Sequence, residues 1–195
     1  MYEALRKYIN SYTSSIISDE EFKYCQEALT PRKLKKRQFL LHEGSICQYS
    51  AFIVNGAMRQ YTIDKRGVEH IVRFGIENWW MSDRESLIML TPSLYNIDAV
   101  EDCDLLVSTN EQVTRLKEQS PTVGILFQQL DQRSFIANQD RIQATISLSA
   151  EERYAHLMEA YPEFVQRFPQ AMIASYLGIT PETLSRVRKQ HYAKE

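Results

Sequence analysis

Between about Pro31 and Ser108 the sequence breaks into short runs rich in β-branched and aromatic residues: Phe39–Leu41, Ala51–Val54, Met58–Ile63, Val68–Phe74 and Ile97–Val107. Glu43-Gly44-Ser45, Asn55-Gly56 and Asp64-Lys65-Arg66-Gly67 fall between them. Gly or Asn at such places takes the positive φ that tight hairpins demand. Several short strands at near-regular spacing predict an antiparallel sandwich or barrel. One helical interruption is legible inside it. Ser82-Asp83-Arg84-Glu85 reads as a capping box opening a turn over Ser86–Leu90.

Helical texture flanks this block. Residues 2–29 carry Leu5, Ile9, Ile16, Phe22 and Leu29 at helical spacing, with Ser18-Asp19-Glu20-Glu21 as the polar start of a second short helix. From Asn110 to about Leu148, Gln, Glu, Asp, Arg and Leu dominate, which predicts a long helix broken near Pro121. Val123, Leu126, Leu130 and Ala137 step along it as a short heptad seam. Arg133 interrupts that seam, and the apolar track moves to Phe135, Ile142 and Ile146. Packing on the β-domain would also hide such a stripe, but a helix this long between two domains is expected to pair with a second copy. Ser149-Ala150-Glu151-Glu152 is another capping pattern and opens a helical C-terminal region. The fold class is therefore α+β: a jelly-roll-like antiparallel β-roll over 1–110 with a helical lead-in, a long connecting and dimerisation helix over 111–148, and a helical domain over 149–195.

Composition narrows the function classes. With 44% hydrophobic and 25% charged residues among 195, the chain has globular make-up. No apolar run is long enough for a bilayer, and the N-terminus lacks a secretory signal, so a cytoplasmic location without a membrane partner is expected. Cys25, Cys47 and Cys103 are isolated and read as small buried hydrophobes. A formal charge of −2 gives no global attraction to nucleic acid, so such binding must come from a local basic patch.

That patch lies near the C-terminus. Within Gln170–Arg188 the residue types match two short helices crossing at a steep angle. Ala174 permits close approach, while Ile173 and Leu177 point into a shared core. Gly178 suits a left-handed helix terminus, with Ile179 as its hydrophobic contact. Thr180 is a good N-cap, Pro181 fits the first helical position, and Glu182 favours the positive end of the dipole. Leu184 and Val187 face inward, which leaves Glu182, Thr183, Ser185, Arg186 and Lys189 outward. Arg forks onto guanine and Glu accepts from cytosine N4, while Thr, Ser and Lys suit phosphates. From Thr180 to Glu195 four cations (Arg186, Arg188, Lys189, Lys194) stand against Glu182 and Glu195. The pattern is that of a helix-turn-helix. A plain helical hairpin would have little reason for so polar an outward face.

Read as a whole, the chain resembles the Crp/Fnr superfamily of bacterial transcription regulators, in the short form typical of Bacteroidetes. The resemblance rests on Phe52-Ile53-Val54-Asn55-Gly56-Ala57-Met58-Arg59, on Asp64–Gly67 and above all on Ile173–Arg186. It implies a cyclic-nucleotide-binding-type β-roll, a dimer helix and a DNA-binding helix-turn-helix. In that family the recognition helix typically reads Arg-Glu-Thr-x-x-Arg. Glu182, Thr183 and Arg186 match, but Pro181 replaces the first arginine, so the preferred DNA sequence is expected to differ. The chain also ends about ten residues past the recognition helix, so β-wing material and its backbone contacts are expected to be fewer. Cyclic-nucleotide-binding members carry Gly-Glu for the ribose and Arg-Ser/Thr-Ala for the phosphate. Here Ser82-Asp83 and Ser93-Leu94-Tyr95 stand instead, so the phosphate's cation is missing.

A pocket for some other effector would draw on Arg73, Glu77, Trp79, Asp83, Arg84, Ser93 and Tyr95, although the adjacent Trp79 and Trp80 read better as closing the core. No cofactor is expected. His42-Glu43 and Glu69-His70 lack the paired spacing of a cupin-type metal site, and no nucleophile motif or phosphate loop points to an enzyme. Arg32-Lys33-Leu34-Lys35-Lys36-Arg37 reads as cationic side chains guarding a sheet edge. The expected function is a homodimeric transcription regulator sensing an unidentified signal and binding a pseudo-palindromic duplex operator. Paired recognition helices would sit about 34 Å apart. Arg186 and Glu182 would read base edges and Thr183 and Lys189 would hold phosphates, with Ser175, Tyr176 and Thr180 as flanking contacts. RNA polymerase is a further candidate partner. The alternative is a ligand-binding roll whose C-terminal helices contact protein.

Overall fold

A computed structural model describes residues 1–192. Two helices lead in, α1 (Tyr2–Thr13) and α2 (Asp19–Ala28). Strands follow: β1 (Thr30–Leu34), β2 (Phe39–Leu41), β3 (Ser50–Asn55), β4 (Met58–Ile63), β5 (Glu69–Gly75) and β6 (Trp80–Met81). A short helix α3 (Arg84–Met89) precedes β7 (Asn96–Ala99) and β8 (Cys103–Ser108). The remainder is helical: α4 (Asn110–Gln119), α5 (Pro121–Ser147), α6 (Ala150–Ala160), α7 (Pro162–Arg167), α8 (Gln170–Leu177) and α9 (Pro181–Tyr192).

The strands form two sheets, in the orders β1-β8-β3-β6 and β2-β7-β4-β5. Side-chain alternation along β3 and β8 builds two core layers from one sheet. Phe52 pairs with Leu106 in register, and both face the helical side, where they meet Tyr8, Trp80, Val123 and Leu126. Ala51, Ile53, Leu105 and Val107 face the other way and join Leu41, Met58 and Ile97. Phe52 is fully buried, which contributes about 1.5–3 kcal/mol. At the β3–β4 turn only glycine fits: Gly56 has φ 100°, and a Cβ there would lie 2.5 Å from the Asp102 carbonyl oxygen. β1 carries the start of the basic run, Arg32 and Lys33, and pairs on one side only, with Lys33 bridging Asp104 of β8 at 3.1 Å. All three cysteines are buried, and burial pushes the Cys25 thiol up to about 12.

Helix boundaries follow local chemistry. Ser18, Thr109 and Ser149 each form a reciprocal capping box. α3 departs from expectation by one residue: its cap is Asp83, whose carboxylate accepts from the Ser86 N–H, rather than Ser82. The chain packs as two compact units. The first comprises residues 1–60 and 74–132, the second residues 61–73 with residues 133 onward. The long helix α5 is thus shared, and the end of the β4–β5 hairpin belongs with the C-terminal helices. The heptad seam is shared too. Val123 and Leu126 are buried in the chain's own core, whereas Phe135, Ile142 and Ile146 are exposed. No described helix is long and apolar enough to cross a membrane.

Candidate nucleic-acid interface

α8 and α9 are held by the residues that their sequence singled out. Ile173, Ala174 and Leu177 from α8 and Leu184 and Val187 from α9 are all buried. Ala174 is fully buried, as a close helix crossing requires. The C-terminus of α8 is a Schellman motif: Gly178 sits at φ 67°, its N–H donates to the Ser175 carbonyl, and the Ile179 N–H donates to the Ala174 carbonyl at 3.0 Å. Two residues later Thr180 caps α9, its hydroxyl oxygen accepting from the Thr183 N–H at 3.2 Å. The connection between the helices therefore has little freedom.

On the outer side of α9, Glu182, Ser185, Arg186 and Lys189 are exposed, as is Thr180, while Thr183 and Arg188 are half-buried. Glu182's own N–H, followed by the Thr180 hydroxyl, holds its carboxyl below the usual range, so it stays an anionic acceptor at neutral pH. The face thus offers forked cationic donors beside one acceptor. Lys194 and Glu195, counted in the local charge, lie outside the described residues.

Ser175 and Tyr176 are turned elsewhere. The Ser175 hydroxyl accepts from the Ile71 N–H at 2.9 Å and donates to the Glu69 carbonyl at 3.0 Å, so it is bound to β5. Tyr176 is half-buried, meets Phe164 edge-on at 6.5 Å, and lies under the Arg141 guanidinium, 4.3 Å from the ring centroid. Burial raises its hydroxyl pKa. Arg141 also donates to the carbonyls of Ile71 at 3.1 Å and Tyr176 at 3.3 Å, and to that of Val72. This residue was not singled out in the sequence. An arginine on a polar helix carries no local signal that its partners are backbone oxygens of a distant hairpin.

Several of the residues considered for an effector pocket have partners of their own. Asp83 and Ser93 do meet: the Ser93 hydroxyl donates to the Asp83 carboxylate at 2.6 Å, with both residues buried. Ser93 also accepts from the Tyr95 N–H at 3.0 Å. Glu77 instead accepts from the Gly56 N–H at 2.8 Å, Arg84 is engaged with Asp131 of α5, Trp79 packs partly buried in the core between the sheets, and Arg73 belongs to the second unit. Trp80 closes the core against Phe52 and Phe127. A shallow, open surface depression of about 530 Å³ lies around β1 and β2, lined by residues that include Arg32, Lys33, Arg37, Gln38, Phe39 and His42. Among the described residues, no cluster of three His, Cys, Asp or Glu side chains could hold a metal ion.

Comparison with known proteins fits this architecture. Residues 31–120 match the model of the cyclic nucleotide-binding domain. FixK2 from Bradyrhizobium japonicum superposes with a TM-score of 0.71 at 19% identity, over 85% of each chain. The c-di-GMP-responsive global regulator CLP of Xanthomonas campestris gives 0.71 at 13% identity, over 91% of this chain and 93% of that one. CooA of Carboxydothermus hydrogenoformans, in a mutant form, gives 0.72 at 14% identity, over 87% and 79%. No curated protein matches the sequence significantly. Residues 31–120 thus match a cyclic nucleotide-binding-type domain, and the chain shares its fold with these solved structures.

Proposed function

We propose that the protein is a homodimeric, sequence-specific DNA-binding transcription regulator of the Crp/Fnr type. The observation that carries the reading is the outer face of α9: Glu182, Ser185, Arg186 and Lys189 stand exposed on a helix whose start is fixed by the Gly178 and Thr180 caps. In this reading Arg186 and Glu182 address base edges, while Thr180, Thr183, Ser185 and Lys189 address phosphates. Ser175 and Tyr176 serve the hairpin rather than the duplex. The test is selection of bound fragments from genomic DNA, followed by anisotropy titrations. Arg186→Ala is expected to cost about 1–3 kcal/mol on the selected site and much less on random duplex. Equal losses on both would remove base reading. Failure of the wild type to bind any duplex at low salt would leave the alternative, protein contacts through the C-terminal helices.

We further propose that a cyclic nucleotide is not the effector. The support is the Asp83–Ser93 bond: a buried carboxylate already accepts from the serine, in the place where the resemblance puts a nucleotide's partners. A second anion there would face Asp83 without a neutralising cation. Saturable heat on calorimetric titration with cyclic AMP would overturn this part.

A further inference from the structure

The turn joining β4 to β5 is a rigid, basic tip. Asp64 organises it, accepting from the backbone N–H of Arg66 at 2.8 Å and of Val68 at 3.0 Å, and from His70 Nε2 at 3.1 Å. The Gly67 N–H closes the turn on the Asp64 carbonyl at 2.9 Å. These bonds hold the Asp64 carboxyl well below its ordinary range, the His70 bond most of all. Lys65 and Arg66 project from the tip into solvent; the Arg66 side chain is 82% exposed, and its ion pair with Asp64 is a long 3.4 Å contact. The remaining acid, Glu69, leaves residues 61–73 with three cations (Lys65, Arg66, Arg73) against two carboxylates.

The tip is also fastened to the helix-turn-helix. Ser175 bonds the backbone of Glu69 and Ile71, and Arg141 bonds Ile71, Val72 and Tyr176. Lys65 is four residues from Glu69 and Arg66 three, so both lie within about 14 Å of the Ser175 anchor. Ser175 in turn precedes the Thr180 cap of α9 by five residues. A major groove is about 12 Å wide and its walls are rows of phosphates. The cationic tip and the recognition helix belong to one compact unit, joined through Ser175, so a duplex that α9 enters offers its flanking phosphates to the tip.

We propose that Lys65 and Arg66 contact DNA phosphates flanking the groove that α9 enters, making the β4–β5 hairpin a backbone clamp for the operator. This rests on the DNA-binding reading of α9. Asp64 shapes the turn and offsets one of its two cations, which leaves Asp64–Gly67 with a net positive charge. Ser175 and Arg141 position the clamp and do not touch the duplex.

The test is the salt dependence of binding to the selected duplex and to a random one. Lys65→Ala, whose ammonium has no partner among the described residues, is expected to lower the slope of log K against log [KCl] by about one. The double change Lys65→Ala/Arg66→Ala is expected to lower it by about two, with equal affinity loss on both duplexes and an unchanged thermal melt. Ser175→Ala, which removes one of the tip's two fastenings while keeping its charge, is expected to reproduce part of that loss. Unchanged slopes in K65A and in the double variant, with Arg186→Ala still losing its preference for the selected site, overturn the clamp and leave the α9 reading standing. Absence of binding by the wild type overturns both.

Discussion

Asp98 and Arg59 show how much a single side chain can decide in the roll. The Arg59 guanidinium forks onto Asp98 with Nε at 2.8 Å and Nη2 at 3.0 Å, and both residues are buried. Their attraction repays the desolvation of two charges only while both are present. Asp98→Ala is therefore expected to destabilise by about 3–5 kcal/mol, whereas Arg59→Met/Asp98→Leu should cost less than the single change, as read from urea midpoints. An additive double variant would show that the pair is not a unit. At this scale the sequence is legible where the determinant is local. Gly178, Thr180, Leu184 and Val187 announce their roles through spacing alone. Ser175, Tyr176 and Arg141 do not, because the partners of Ser175 lie about a hundred residues away and are backbone groups. Their hydrogen bonds come from tertiary packing, which a residue's neighbours in sequence do not encode.

Elements are specified by their ends. The box at Ser18 that opens α2 also lends its Glu21 to another helix. Glu21 accepts from the Ser120 hydroxyl at 2.8 Å and from the Thr122 N–H and hydroxyl at 3.1 Å each, placing a carboxylate at the N-terminus of α5. Burial alone would raise its pKa, but the bonds from Ser120, Thr122 and Ser18 outweigh it and the net shift is downward. The folded pKa is thus below the unfolded one. The charge contributes stability above about 4.5, the ordinary glutamate value, and the contribution is lost as pH falls through the folded pKa. The urea midpoint of the wild type is expected to exceed that of Glu21→Gln at pH 7, with the gap closing as pH falls below the ordinary glutamate value and through the lower folded one; a gap constant with pH would show that the charge is idle. Elements missed in the sequence have physical reasons as well. β6 is two residues long and has no period to detect. The cap of α3 moves to Asp83 because its carboxylate also meets Ser93, ten residues on.

For the whole molecule the open matter is what covers α5. Its 27 residues extend about 40 Å, and the half beyond Gln132 exposes Phe135, Ile136, Ile142 and Ile146, with Ile146 80% exposed. Phe135, Ile142 and Ile146 step by seven and four, the spacing at which one helix faces another. The first half of the stripe is already spent on the chain's own core through Val123 and Leu126, so a self-contained fold leaves the second half wet. A parallel pair of α5 helices from two copies would bury these side chains against their equivalents, since a two-fold axis sets like residues opposite each other. It would also place two α9 helices for successive turns of one face of a duplex. Phe135→Lys/Ile142→Lys would put four cations into that seam. Sedimentation is expected to show a dimer for the wild type and a monomer for the variant, with the circular-dichroism melt retained because neither residue belongs to the monomer's core. Binding to a full palindrome should then fall to the level of a half-site while the half-site affinity is kept. A dimer that survives the double lysine change would mean that another surface pairs the copies.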